Sequence, residues 1–156
     1  MKQKILVMIV IMMMCVTGFW NEEFVVKAED ESEDIDMSYL LTDEAFIGYA
    51  EAQTRGVYYA SGYSVINKIS STKIGAGGVT NAAVKCEVSV TAIVERKTST
   101  GWAFVTSWTQ TNASAYSAMV SKSLTVGTGY YYRVRCSHYA ATDVSSSGTD
   151  ALWMGD

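Results

Sequence analysis

VKCEVSVTAIVE, residues 84–95, alternates apolar and polar side chains along almost its whole length. Successive side chains of a strand point to opposite faces of a sheet, so this alternation predicts a strand that is buried on one face. Ile93 is the exception, an apolar residue on the polar face. The face predicted to be buried carries Val84, Cys86, Val88, Val90, Ala92 and Val94, and the other face carries Lys85, Glu87, Ser89, Thr91 and Glu95.

A second segment, YYYRVRC at residues 130–136, alternates in the same way. Its predicted inward face carries Tyr130, Tyr132, Val134 and Cys136, and its outward face carries Tyr131, Arg133 and Arg135. Both cysteines of these two segments therefore lie on the inward sides of their strands.

From residue 57 onward the chain is rich in Ser, Thr, Val and Tyr, which favour strands. Proline is absent, and clusters of Gly, Asn and Ser supply the predicted turns, including Gly75-Ala-Gly-Gly78. About seven short strands with regular turns predict a single antiparallel β-sandwich over residues 57–156, like fibronectin or immunoglobulin domains. The strands are predicted near 57–60, 63–70, 84–96, 102–109, 116–126, 130–140 and 149–154.

Residues 1–28 have the order of an export signal. Lys2 and Lys4 precede an apolar run over residues 5–16, and Val26-Lys-Ala28 places small residues at the −3 and −1 positions of a cleavage site. The run is shorter than the roughly 20 residues of a membrane span. We therefore expect a secreted or cell-surface protein, and an uncleaved signal that serves as a membrane anchor is the alternative.

Residues 29–56 form an acidic leader with nine Asp or Glu and one Arg, whereas residues 57–156 carry a small excess of bases. Residues 29–38 are too charged to pack and are predicted to be disordered. Residues 42–55 predict a short helix, because Thr42 can cap it and Gly56 can end it. The leader is either a solubilising tail or a weakly docked cover over Arg133 and Arg135.

Two cysteines follow the signal, Cys86 and Cys136. An even number in an exported domain favours a disulfide, so we predict a Cys86–Cys136 bond. Two buried free thiols are the alternative, because the sequence does not give the geometry of the pair.

The stretch from Leu124 through Gly127-Thr128 to Tyr130 and Val134 resembles the tyrosine corner of fibronectin type III domains. The resemblance implies that Leu124 precedes the turn and that Tyr130 opens the next strand and bonds back to the corner. Val126 stands where that family usually has Pro. We take this as support for a sandwich corner.

The chain from about Tyr39 to Trp153 also resembles a family of small exported proteins of unknown function from Gram-positive bacteria. The similarity lies in the segments 53–58 and 61–66, and in Gly129–Arg135 with His138 close behind. It implies an extracellular β-rich domain and brings no known activity.

The sequence predicts no catalytic residue, metal site or cofactor. His138 is the only histidine, which excludes His-based zinc clusters, and no Gly-x-Ser-x-Gly elbow accompanies it. We expect His138 near a strand end or in a loop. Acidic pairs such as Glu87 and Glu95 lie on an outward face and are predicted to be surface residues.

Aromatic residues are the best candidates for binding. Trp102, Phe104 and Trp108 share one face of a predicted strand and are expected to fill the core. The outward row of Tyr131, Arg133 and Arg135 would suit an anionic or sugar-bearing partner such as a cell-wall polymer, or another surface protein. An ordinary solvated strand face is the alternative.

These features predict a non-enzymatic binding or structural module of the cell envelope. No nucleic-acid partner is expected, and the membrane is contacted only through an uncleaved signal. A secreted antagonistic or toxin-like effector is the alternative.

Overall fold

The computed structural model of the chain describes residues 32–50 and 56–155. These residues form eight strands and one short helix, and every strand pairing is antiparallel. The all-β antiparallel sandwich predicted from the sequence is confirmed. The elements are β1 (Glu33–Asp34), α1 (Met37–Leu40), β2 (Phe46–Tyr49), β3 (Tyr59–Ser70), β4 (Lys73–Lys97), β5 (Trp102–Thr125), β6 (Tyr130–Ala140), β7 (Asp143–Gly148) and β8 (Leu152–Met154).

The predicted signal segment with its cleavage site, and residues 51–55 of the predicted helix, lie outside the described residues. Within the described ranges, no helix is long and apolar enough to cross a membrane.

Two long strands, β4 and β5, pair along most of their length and carry both layers of the sandwich. On its other edge, the first half of β4 pairs with β3 and the second half pairs with β6. The first layer therefore contains β1, β2, β3 and one end of the β4–β5 hairpin, and the second contains β6, β7, β8 and the other end. Register shifts between Asn81 and Val88 mark the point where β4 passes from one layer to the other.

The main core lies between the two layers, and the alternation of β4 builds one side of it. Val88, Val90, Ala92 and Val94 are completely buried, as their strand period predicts. Val84 was expected on the same face but is exposed, because the register shifts before Val88 break the alternation.

Gly75-Ala-Gly-Gly78 is not the predicted turn but part of β4. A side chain at Gly75 would meet Leu40, and one at Gly78 would meet the Cys136 sulfur. The small residues therefore let neighbouring elements approach the sheet closely on both of its faces.

Most of the described part of the predicted leader is built into the fold, and we call residues 32–49 the N-terminal strap. β1 pairs with β5, and β2 pairs with β3. The predictions of disorder over 29–38 and of a helix over 42–55 are therefore wrong for the described residues. The helix that does form, α1, is capped by Asp36, whose carboxylate accepts a hydrogen bond from the Ser38 amide at 2.9 Å.

Two acidic groups of the strap pair with lysines of the first layer. The Lys73 ammonium lies 2.7 Å from the Glu33 carboxylate, and the Lys122 ammonium lies 2.8 Å from the Asp34 carboxylate. One of the two alternatives for the leader was a cover over Arg133 and Arg135, but these two described acids lie on the other layer.

Cys86 and Cys136 are both free thiols, so the predicted disulfide is wrong. Cys136 lies opposite Ala92 of β4, six positions along the strand from Cys86. At about 3.3 Å per residue the two are roughly 20 Å apart, far beyond the reach of a disulfide. Most of the predicted inward residues of the two strands are buried, but a shared face does not give a shared position.

Candidate functional site

An exposed set of aromatic and charged side chains covers the outward side of the second layer. We call it the aromatic–cationic face. Its members come from the end of β4, the start of β5, the start of β6, and β8: Glu95, Lys97, Trp102, Phe104, Tyr131, Arg133, Arg135 and Trp153.

The strand register brings these residues together. Glu95 of β4 lies between Phe104 of β5 and Arg133 of β6. Lys97 lies opposite Trp102, and Tyr131 lies opposite Trp153. Because directly opposed residues of antiparallel strands project from the same face, all of these side chains reach the same surface.

Glu95 anchors the two arginines of this face. Its carboxylate lies 2.7 Å from the Arg133 Nε and 3.6 Å from the Arg135 Nε, and its side chain is only 13% exposed. The Arg133 guanidinium also lies 4.2 Å from the centre of the Trp102 ring. A carboxylate and an aromatic ring therefore hold the Arg133 cation in one place at the surface.

Three of the four aromatic residues of the face are open to solvent. Phe104 is 67% exposed, Tyr131 47% and Trp153 43%. The rings of Tyr131 and Trp153 pack against each other, with centres 4.8 Å apart. A cluster of large exposed apolar side chains on a folded domain is typical of a binding surface.

The outward position of Tyr131, Arg133 and Arg135 agrees with the strand period, but the predicted core position of Trp102 and Phe104 is wrong. Val94 lies opposite Thr106, and Glu95 lies opposite Phe104, so β5 has one extra residue between them. This bulge reverses the alternation, and only Trp108 of the three aromatics packs partly against the core.

Sequence reasoning did not link Glu95 or Trp153 to the arginines. Glu95 was placed on an outward face, which is correct, but its arginine partners follow only from the pairing of β4 with β6. Trp153 lies in a three-residue strand whose partner is likewise set by the tertiary fold.

The corner after β5 is formed by a different tyrosine from the predicted one. The Tyr132 hydroxyl donates to the Gly127 carbonyl at 3.0 Å, and Leu124 is buried beside the turn. Tyr130 is instead exposed, and the Arg96 guanidinium lies 4.5 Å from the centre of its ring.

His138 lies near the end of β6, as expected, but it is completely buried and paired on both sides rather than at an edge or in a loop. The Thr80 hydroxyl donates to the Ser89 carbonyl at 2.9 Å, so it can only accept from His138 Nδ1, 2.8 Å away. His138 Nε2 then accepts from the Ser147 hydroxyl at 2.8 Å. Burial lowers the pKa of His138 to about 4, so the imidazole is neutral at pH 7.

This buried network has the connectivity of a serine–histidine pair, but its chemistry differs from that of a catalytic triad. The third group is the Thr80 hydroxyl, which cannot stabilise an imidazolium as a carboxylate does. Both His138 and Ser147 are buried between the layers. The network therefore serves to satisfy polar groups inside the core.

Asp143, at the start of β7, is used to fix the start of β3. Its carboxylate accepts hydrogen bonds from the backbone amides of Tyr58 at 2.7 Å and Tyr59 at 3.0 Å. These amides hold the pKa of Asp143 below its usual value. In the described part of the chain, no group of three or more His, Cys, Asp or Glu side chains is arranged to hold a metal ion.

Comparison with known proteins identifies the family of this chain and nothing closer. Residues 33–152 match the Family of unknown function (DUF6147), so the chain belongs to that family. The match begins at the first residue of β1, which agrees with the strap being part of the domain. No curated protein and no solved structure matches the chain.

Proposed function

We propose that this member of the DUF6147 family is an exported, non-enzymatic module of the cell envelope. It binds an anionic, sugar-bearing wall polymer through the aromatic–cationic face. The observation that carries the proposal is the arrangement around Glu95, where Arg133 and Arg135 share one carboxylate and Arg133 lies over Trp102.

The chemistry of the face suits such a polymer. Each arginine is held to Glu95 through its Nε, and guanidinium groups recognise phosphate and carboxylate in a defined geometry. Lys97 adds a third cation, 5.2 Å from the centre of the Trp102 ring. The exposed rings of Phe104, Tyr131 and Trp153 offer flat apolar surface to sugar rings beside the charged groups.

The shape of the face favours a polymer over a small molecule. Sites for small molecules are concave and enclose most of the ligand, whereas this face follows the exposed side of a sheet. A long chain with repeated anionic groups can contact several parts of such a face at once. The export signal predicted over residues 1–28 supports a location where wall polymers occur.

The test is binding of the secreted protein to purified bacterial cell walls, to poly(glycerol phosphate) and to a neutral glycan. The double variant Arg133→Ser with Arg135→Ser removes the cations, and Trp102→Ala removes the ring below Arg133. Both should weaken binding to the anionic materials about tenfold or more at low salt. Binding by the native protein should fall steeply as salt rises, because exposed charges are screened.

The matched control is the double variant Lys68→Ser with Lys85→Ser, which removes the same charge from outside the face. It should bind like the native protein. Equal binding by the arginine variant and the lysine variant would contradict the proposal, as would equal loss in both. If the protein bound only the neutral glycan, its aromatic rings would be binding sugars without any contribution from the arginines, which would contradict the proposal.

A further inference from the structure

The first half of β5 has a free edge. Residues 102–115 pair with β4 on one side, and among the described residues no strand pairs with their other side. β1 reaches β5 only at Lys122 and Ser123. The free edge thus presents a long row of backbone amides and carbonyls that can pair with a further strand.

This half of β5 is also poorly covered by the rest of the molecule. None of the residues from Trp102 to Ser117 is buried, whereas most from Ala118 to Leu124 are. Within the described part of the chain, this strand is therefore well packed near its pairing with β1 and open along residues 102–117. Its backbone and side chains leave room for a partner.

The free edge lacks the features that normally prevent edge pairing. Natural edge strands are protected by charges, by proline or by shortness. Residues 102–121 contain no Lys, Arg, Asp, Glu or Pro. The other outer strands are short, and two carry acids: β1 has two residues, both acidic, β2 has four, β7 has six and begins with Asp143, and β8 has three.

We propose that this edge pairs with the same edge of a second copy of the chain. The two β5 strands run antiparallel about a two-fold axis near Thr109 and join the second layers of both copies into one sheet. An uncharged segment meets its own copy without like-charge repulsion, and a two-fold axis uses the same patch twice. On its other edge β5 already pairs antiparallel with β4, where the hydroxyls of the opposed Thr91 and Thr109 lie 2.8 Å apart.

The dimer would place two aromatic–cationic faces on one continuous sheet. Trp102 and Phe104 lie on β5 itself, so the joined edge brings both copies of these rings to the same side. A polymer that binds both faces would gain affinity through effective concentration. This consequence rests on the proposed function, whereas the dimer itself does not.

Light scattering and sedimentation of the secreted protein over a range of concentrations test the pairing. The native protein should approach twice its monomer mass as concentration rises. Variant Ser107→Lys with Thr111→Lys should remain monomeric, because each lysine meets a lysine of the second copy across the axis. Variant Ser107→Glu with Thr111→Glu should also be monomeric, and an equimolar mixture of the two should restore the dimer.

The mixture separates a lost interface from a lost fold, because two misfolded variants would not restore each other. The variant Ser71→Lys with Thr128→Lys places two charges in exposed turns away from the edge and should dimerise like the native protein. A native protein that is monomeric at every concentration would overturn the proposal. So would a dimer that the β5 lysines leave intact, which would assign the contact to another surface.

Discussion

At the scale of single residues, the packing between the two layers depends on side chains that are small or uncharged. His138 shows this most clearly, because it lies between the layers with both ring nitrogens bonded to hydroxyls. Gly62 makes room for it, since a side chain there would lie 2.7 Å from His138 Nδ1. The imidazole is therefore accommodated in its neutral form, with no described carboxylate bonded to it.

This arrangement predicts acid sensitivity. The folded pKa of about 4 lies below the unfolded value of about 6.5, so between these values the unfolded chain binds a proton that the folded chain does not. The free energy of unfolding should therefore fall as pH drops from about 6.5 to 4, with no further loss from this group below that. Denaturant unfolding at several pH values measures it.

His138→Gln is the control, because the chain has no other histidine. It removes the titration, so the difference in stability between the two proteins should shrink as pH falls through this window. A difference that stays constant from pH 7 to 4 would show that His138 does not titrate differently on folding. Asp143, whose pKa lies below its usual value, contributes equally to the pH dependence of stability in both proteins.

At the scale of elements, the sequence indicates a strand well when only one of its faces is buried. It indicates a strand poorly when both faces are buried. The period of two located the buried rows of β4 and β6 and the outward position of Arg133 and Arg135. It missed residues 73–81, because glycines packed on both sides of a strand give the same signal as a turn. Residues 46–49 looked helical from their neighbours, but pairing with β3 overrides that weak local preference.

The N-terminal strap gives the prediction at this scale. Leu40 is completely buried and lies over Gly75 and Gly77, where an added side chain would meet it. Leu40→Ala should lower the free energy of unfolding by about 2–5 kcal/mol through lost burial and a cavity. Leu41→Ala, which changes an exposed neighbour, should have little effect. Thermal and denaturant unfolding of both variants measures the difference.

A companion variant tests the glycine side of the same contact. Gly75→Val should destabilise the fold, because its side chain would compete with Leu40 for one space. Combining it with Leu40→Ala should give less loss than the sum of the two changes. Strict additivity, or a negligible effect of Leu40→Ala, would show that the strap is only loosely attached.

At the scale of the whole molecule, the fold separates a packed, neutral interior from an exterior whose aromatic, charged and backbone groups are open to partners. The interior contains the neutral histidine and the Cys136 thiol, whose pKa burial raises to about 12. The exterior of the second layer carries the aromatic–cationic face and the free β5 edge. The sequence could indicate the outward arginines but not Glu95 or the reversed Trp102, because a bulge and a strand register depend on pairings distant along the chain.

If the chain is exported as the sequence predicts, the strap limits where its signal can be cut. Cleavage after Ala28 would keep the hydrogen bond from the Trp108 indole to the Ser32 hydroxyl, at 3.1 Å, and both ion pairs of β1. A cut beyond Asp36 would remove β1 and the cap of α1. We therefore expect N-terminal sequencing of the protein from culture medium to begin at or near Glu29.

Ala28→Trp should block the small-residue site and leave a precursor that still carries Met1 with the membranes. If native protein also occurs only with membranes and retains Met1, the signal is an anchor, and the aromatic–cationic face acts next to the membrane rather than in the medium.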